Sequence, residues 1–390
     1  MSENMLARLR AIDTDTHITE PPDVWTARVS TKKWGDKVPH VKQIEGRDVW
    51  FIGDQTVGSP GHTSPAGFEG SFPDARMGYH DILKSTFDPK ERLVHMDEEG
   101  IHAQVLYPNV GGFGSGGFLR LGEPELMLEC VRAYNDFLVE WCSADSNRLI
   151  PVAAMPFWDV DACVAEVQRA ASIGHRSILA CSEPQAFDQP LLSDRHWDPF
   201  WAAVRDVDLP ISFHIGAGDL SDLTHDASNI GTRANFARIS SRVFMQNANC
   251  IGDLIFGGVC HRFPELQLVS VESGVGWLPS YLEACDWQWA NSHVSREHPE
   301  YDLLPSEYFK RQIYACFWFE EKSLERAIEL YPDNIIWETD FPHPTCQHPG
   351  PKGGFSRRPG EYAEQAMGNV PEATLEKVLH STAAQLYAVR

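Results

Sequence analysis

Short apolar or β-branched runs alternate with longer helix-patterned segments along this chain, and no other feature narrows its fold as much. The runs are Ala11 to Asp15, Ala103 to Tyr107, Leu149 to Ala153, Ser177 to Ala180, Pro210 to His214, Leu266 to Val271, Gln312 to Cys316 and Asn334 to Glu338. Between them lie amphipathic segments, among them Pro89 to Glu99, Glu123 to Ser143, Val160 to Ile173, Arg195 to Val207, Phe244 to Gly257, Trp277 to Ala290 and Glu321 to Tyr331. Gly100 and Gly174 stand where helices stop. Strand–helix alternation implies a parallel sheet, and eight strands is the number a closed barrel needs, whereas an open doubly wound sheet usually has fewer. The fold class is therefore α/β, a single (β/α)8 TIM barrel spanning residues 1–390, with Pro371 to Val389 as its last helix.

Two segments break the rhythm. Pro21 to Phe87 (21–87) follows the first strand and is rich in Gly, Pro, Ser and aromatics, far beyond an ordinary βα loop. Pro342 to Tyr362 (342–362) follows the eighth strand and carries Gly-Pro-Lys-Gly-Gly. Both emerge at the C-terminal mouth of a barrel, where a lid over a site would sit.

Charge and composition exclude more than they assign. Of 390 residues, 55 are acidic and 33 basic, a net charge of −22, which argues against nucleic acid or an anionic membrane as partner. The expected partner is a small molecule. No run approaches the ~18 apolar residues of a membrane span, and no signal peptide is read at the N-terminus. Nine cysteines without a C-x-x-C pair suit a reducing, cytoplasmic setting.

In a barrel enzyme, residues at the C-terminal ends of strands reach the active site. Here those places hold Asp15 and His17 after the first strand, Tyr107 and Asn109 after the second, His214 after the fifth, Glu272 after the sixth, and Asp340 and His343 after the eighth. Asp15 and His17 are two residues apart, so an extended backbone points both to one face. Each signal has a plainer reading: D-x-H arises by chance, His214 suits a satisfied core histidine, and Asp340 suits a turn. Their joint fall at strand ends one, five and eight favours one divalent cation held by oxygen and nitrogen donors.

From Ile12-Asp13-Thr14-Asp15-Thr16-His17 through Phe213-His214-Ile215-Gly216 and His261-Arg262-Phe263-Pro264 to Trp337-Glu338-Thr339-Asp340-Phe341-Pro342-His343, the chain resembles the amidohydrolase superfamily. Within it, the branch of α-amino-β-carboxymuconate-semialdehyde decarboxylase and the resorcylate-type decarboxylases is the most similar. The resemblance covers nearly the whole chain. It implies that Asp15, His17, His214 and Asp340 are metal ligands, with Asp340 also moving a proton, and that the protein is a homo-oligomer, a dimer or tetramer. Binuclear members bridge two metals through a lysine after the fourth strand. This chain has no lysine between Lys90 and Lys310, so one metal is expected, Zn2+ or Mn2+, the two carboxylates giving weight to manganese.

The branch has a histidine after the sixth strand where this chain has Glu272. A carboxylate there serves as a base or as a partner to a ligand but cannot donate as imidazolium does, and its plainer reading is a cap on the following helix. The expected catalytic set is Asp340, Glu272 and His343. Nonoxidative decarboxylation of a small aromatic or unsaturated acid is the favoured reaction. Hydrolysis of an amide, ester, lactone or C–C bond is the alternative, and a non-catalytic ligand-binding barrel the third. Arg262 is either a carboxylate anchor or a helix cap, and Glu20 either pairs with a neighbour of the metal or is surface charge. His62, His80, His225, His293 and His298 fall in loops with nothing to prefer one.

Overall fold

The computed structural model describes residues 4–70, 78–218, 228–350 and 356–390. Among these residues there are eleven strands: β1 (Ile12–His17), β2 (His40–Ile44), β3 (Arg47–Ile52), β4 (Gln55–Gly58), β5 (Ala103–Tyr107), β6 (Leu149–Ala154), β7 (Ser177–Ala180), β8 (Ile211–His214), β9 (Leu268–Val271), β10 (Ile313–Phe317) and β11 (Ile335–Trp337). Eight of them form one parallel sheet in the order β1-β5-β6-β7-β8-β9-β10-β11. Such strands are buried on both faces and so read as nearly continuous apolar runs.

Closure comes from the segment after β11. His17 N–H donates to Phe341 O at 2.7 Å and Asp340 N–H to Asp15 O at 3.0 Å, so β1 is paired on both sides. Asp13 adds a side-chain latch: its carboxylate accepts Thr339 N–H (2.8 Å), Thr339 Oγ1–H (2.6 Å) and a Gln104 amide hydrogen (3.1 Å). The first and last strands thus meet at the level of the candidate ligands.

Inward-facing Ile12, Val105, Ile150, Leu179, Val269 and Ile336 form one cluster, which Leu386 and Tyr387 from the C-terminal helix join. The larger apolar cluster lies between strands and helices. Local chemistry explains the helix limits. Asp88 and Asp159 accept backbone N–H groups at the starts of Pro89–Glu99 and Val160–Ile173, and left-handed Gly100 and Gly174 end them.

The long segment after β1 is more ordered than its composition suggests. β2, β3 and β4 make an antiparallel sheet. Buried Trp50 of β3 packs edge-on to Trp25 at 5.3 Å, and Trp25 Nε1–H donates to Cys130 O of the barrel helix Pro124–Cys142 at 3.0 Å. Aromatics that look like loop residues are this insertion's anchors. The second long segment also contains structure, a helix at Pro359–Met367. Most of its glycine-rich stretch, and His225, lie outside the described residues. Helices at Thr232–Val243 and Pro305–Gln312 were not marked by the periodicity. The final helix is interrupted by a π-turn at Lys377–Ser381. Among the described residues no helix is long and apolar enough to cross a membrane.

Candidate metal centre and active site

Four strand ends converge on one buried cluster. His17 Nε2 and His214 Nε2 face each other at 3.1 Å, although they are 197 positions apart. Each ring uses its other nitrogen: His17 Nδ1 meets Pro108 O at 2.9 Å and His214 Nδ1 meets Ile215 O at 2.7 Å. Because a carbonyl only accepts, both Nδ1 atoms carry the hydrogen in the neutral rings, and both Nε2 lone pairs point into the same space. Two lone pairs at that distance repel unless a proton or a cation lies between them.

Asp15 completes the arrangement. Its Oδ1 is 3.4 Å from His17 Nε2 and its Oδ2 is 3.5 Å from His214 Nε2, and neither oxygen has a hydrogen-bond partner although both are buried. A buried carboxylate without donors is costly in a finished protein. Glu272 Oε2 lies 3.4 Å from His214 Nε2, and Asp340 Oδ1 lies 3.8 Å from His17 Nε2. Donor atoms of Asp15, His17, His214 and Glu272 all fall within 4.8 Å of one another, as do those of His17, Glu272, Asp340 and His343. Two imidazole nitrogens and carboxylate oxygens so disposed fit one divalent cation. At the end of the fourth barrel strand stands Cys181, whose thiol donates to Ala217 O at 3.2 Å.

Electrostatics follow from crowding ionisable groups in a dry place. Burial pushes His17 down to about 3, helped by His343. Burial would also raise Asp15, but His214 and His17 outweigh it and hold that carboxyl below its usual range. His214 shifts the opposite way: burial disfavours its cation, yet Asp15, Glu272 and the Ile215 carbonyl together hold it above the ordinary imidazole value. Asp340 is driven well above the carboxylate range by burial and then by Asp15, and Glu272 by burial and then by Asp340. Without a cation, Asp15 is the carboxylate that His214 stabilises, while Glu272 and Asp340 favour their neutral forms.

Asp340 and Glu272 also sit in the left-handed region, at φ +59° and +56°. A non-glycine residue there costs about 1–2 kcal/mol, and the surroundings hold it. Asp340 N–H is tied to Asp15 O (3.0 Å) and Glu272 N–H to Glu338 Oε2 (3.2 Å). This backbone turn aims both carboxyls back across the barrel mouth.

His343 stacks on His17 with ring centroids 3.8 Å apart and brings Nδ1 to 2.6 Å from Asp340 Oδ1. Asn109 Oδ1 meets its other nitrogen at 2.8 Å. Phe113, in the loop after β5, packs against His214 at 4.2 Å and His17 at 5.0 Å, giving the centre a flat apolar wall.

Other candidates go elsewhere. Tyr107 Oη pairs with Ser212 Oγ at 2.8 Å inside the barrel. Arg262 bonds Asp198 Oδ1 at 2.9 Å and the helix-end carbonyl of Gly257 at 2.9 Å, so it is a helix-end and ion-pair residue. Glu20 is not surface charge; it is buried and accepts Asn109 N–H (2.8 Å) and Val110 N–H (3.0 Å), so it pairs with a residue that borders the cluster. His62 and His293 are exposed, and His80 and His298 pair with Asp81 and Glu300.

Sequence reasoning passed over Arg92 and Glu338. Fully buried Arg92 donates to His17 O (2.7 Å), Ser85 O (2.6 Å) and Gln104 Oε1 (3.2 Å). Burial lowers its guanidinium to about 9, still charged at neutral pH. Glu338, also fully buried, lies beneath Glu272. The only sequence signal for Arg92 is an arginine amid a helix whose other faces already carry charge, which marks nothing.

The family described as Amidohydrolase matches residues 12–389. A gamma-resorcylate decarboxylase from Rhizobium sp. (strain MTP-10005) is 25% identical over 264 residues, 66% of this chain and 77% of that protein. An amidohydrolase from Mycobacterium avium subsp. paratuberculosis K-10 superposes with a TM-score of 0.74 at 22% identity, covering 97% of this chain and 99% of its own. A 5-carboxyvanillate decarboxylase from Novosphingobium aromaticivorans, with bound manganese and a methoxy-hydroxy-nitrobenzoic acid, superposes at 0.67 with 17% identity and 97% coverage of both chains.

Proposed function

The chain belongs to the amidohydrolase family, and we propose that it is a metal-dependent carboxy-lyase removing carbon dioxide nonoxidatively from a small aromatic or unsaturated acid. Asp15, His17, His214 and Asp340 would hold one cation, manganese or zinc, with Glu272 bordering it at His214. Bound there, a divalent cation supplies Lewis acidity toward a carboxylate and an adjacent oxygen. The rest is work for the chain's own side chains.

The observation that carries this reading is the position of Asp340. Its carboxyl touches both the ligand cluster and a second proton-handling group, His343 Nδ1 at 2.6 Å. An Asp340 carboxylate that takes up a proton as substrate binds can pass it to the carbon that bears the leaving carboxylate. The C–C bond then breaks, carbon dioxide departs, and its electron pair restores the unsaturated system. Phe113 offers a face for a flat substrate. Glu272 supplies a carboxyl where the branch it resembles has imidazole, and His343 brings an imidazole from the eighth strand instead. Relatives named for resorcylate and carboxyvanillate support a hydroxybenzoate-like acid.

The test is carbon dioxide release from a panel of hydroxybenzoates and muconate-like acids by manganese- or zinc-loaded protein. Release that stops with chelator supports the assignment. Silence across the panel, with cleavage of amides, esters or lactones, moves the same centre to hydrolysis.

We also read residues 1–390 as one domain whose segments 21–87 and 342–362 cover the mouth, acting in the cytoplasm as a homo-oligomer. Nine buried free thiols suit a reducing compartment. Helix Thr232–Val243 buries none of its residues, and Met245 (48%) and Phe319 (49%) are exposed, which suits a second copy. Light scattering showing a monomer at micromolar concentration would end the oligomer reading.

A further inference from the structure

Asn109 stands at the mouth just after the second barrel strand, and its side chain and backbone N–H are all committed. Its amide nitrogen donates to Ile18 O at 2.7 Å, its backbone N–H donates to Glu20 Oε1 at 2.8 Å, and its Oδ1 lies 2.8 Å from His343 Nε2. The first bond decides the last. A carbonyl oxygen only accepts, so the side chain must turn its NH2 toward Ile18 and its oxygen toward His343. An amide oxygen also only accepts, so His343 Nε2 must carry a hydrogen.

In the neutral ring, that leaves His343 Nδ1 without a hydrogen, 2.6 Å from Asp340 Oδ1. The ring has no easy escape from this state, since it stacks on His17 at 3.8 Å and 26° and its backbone N–H donates to Asp340 O at 2.9 Å. We infer that Asn109 is a positioning residue that locks His343 in its Nε2–H form, so that Nδ1 stays free of hydrogen beside Asp340. The buried Glu20 carboxylate, tied to Asn109 N–H and Val110 N–H, in turn holds the Asn109 backbone.

This inference rests on the reading of Asp340 as the proton-moving group, but its main readout does not depend on which acid is turned over. In protein labelled with 15N-histidine and loaded with zinc, the His343 signals, identified by their absence in His343→Gln, report the tautomer directly. Nε2–H is expected in the wild type, with mixed tautomers in Asn109→Leu. Asn109→Asp, which keeps an acceptor, is expected to retain Nε2–H. On any substrate found, Asn109→Leu should lower kcat about 10–100-fold, the usual range for a partner of a site residue, with KM changed less than about twofold. Asn109→Asp should recover at least about tenfold of that loss. An Nδ1–H ring in the wild type overturns the inference. So does Asn109→Leu with an unchanged tautomer, or with an unchanged kcat, at wild-type metal content. Should Asn109→Leu fail to fold, the tautomer in Asn109→Asp decides: Nε2–H supports the lock, and a mixture overturns it.

Discussion

Replacing Arg92 by methionine tests how far the metal centre depends on the core beneath it. Methionine keeps most of the aliphatic stem and removes the charge and every donor. Two short charge-assisted bonds are lost, to Ser85 O at 2.6 Å and His17 O at 2.7 Å, together with longer ones to Gln104 Oε1 at 3.2 Å and Thr16 Oγ1 at 3.4 Å. Each buried acceptor left unpaired costs about 1–3 kcal/mol. The guanidinium also lies 4.8 Å from the centre of the Phe341 ring, worth about 1 kcal/mol. Methionine recovers some packing, so the net loss is about 4 kcal/mol, similar to removal of one partner from a buried charged pair. With an unfolding entropy of about 2.1 cal/mol/K per residue over the 390 residues, this lowers Tm by about 5 °C. The carbonyl set free belongs to His17, so metal affinity should fall as well, by about 10–100-fold. Calorimetric unfolding and metal titration measure both. A variant within about 1 °C of wild type with unchanged affinity would refute the claim that Arg92 holds the end of β1 in place.

Two further outcomes follow from the same structure. Removing the cation with chelator should lower Tm, by about 5 °C if metal had stood at a thousand times its Kd (~4 kcal/mol), and re-addition should restore it; in His214→Ala the two curves should coincide, and a full metal-induced shift there would exclude His214 as a ligand. His175 is buried, with Nε2 3.1 Å from Asn135 O, and burial pushes it down to about 4. Its folded form therefore binds a proton less readily than the unfolded chain, whose imidazole titrates near 6.5, so its contribution is intact above that pH and lost as pH falls toward 4. Between pH 6.5 and pH 5 the loss is about 2 kcal/mol, and denaturant titrations at the two pH values should show His175→Gln with a correspondingly flatter profile; equal slopes would exclude His175 as the titrating group.

The barrel was legible because its information is local. Runs such as Ile-Ser-Phe-His and Leu-Val-Ser-Val need only their neighbours to declare a doubly buried parallel strand, and Asp159 and Gly174 mark a helix's limits within a few residues. Which residues gather at the mouth was legible too, since a chain that alternates strands and helices must bring its strand ends to one rim. Asp15 and His17 needed only a two-residue repeat, and His214 and Asp340 only their places after the fifth and eighth runs. Distances and partners were not legible. Nothing near Arg92 in the chain tells that its guanidinium lies under His17, 75 positions away. Nothing near Asn109 tells that its oxygen meets His343, 234 positions on. The left-handed turns at Glu272 and Asp340 likewise depend on partners across the barrel, Glu338 and Asp15. Periodicity and capping are written in consecutive residues, whereas a hydrogen's place on a ring, a carboxyl's charge and a strained backbone angle are set by atoms that closure of the sheet brings into contact.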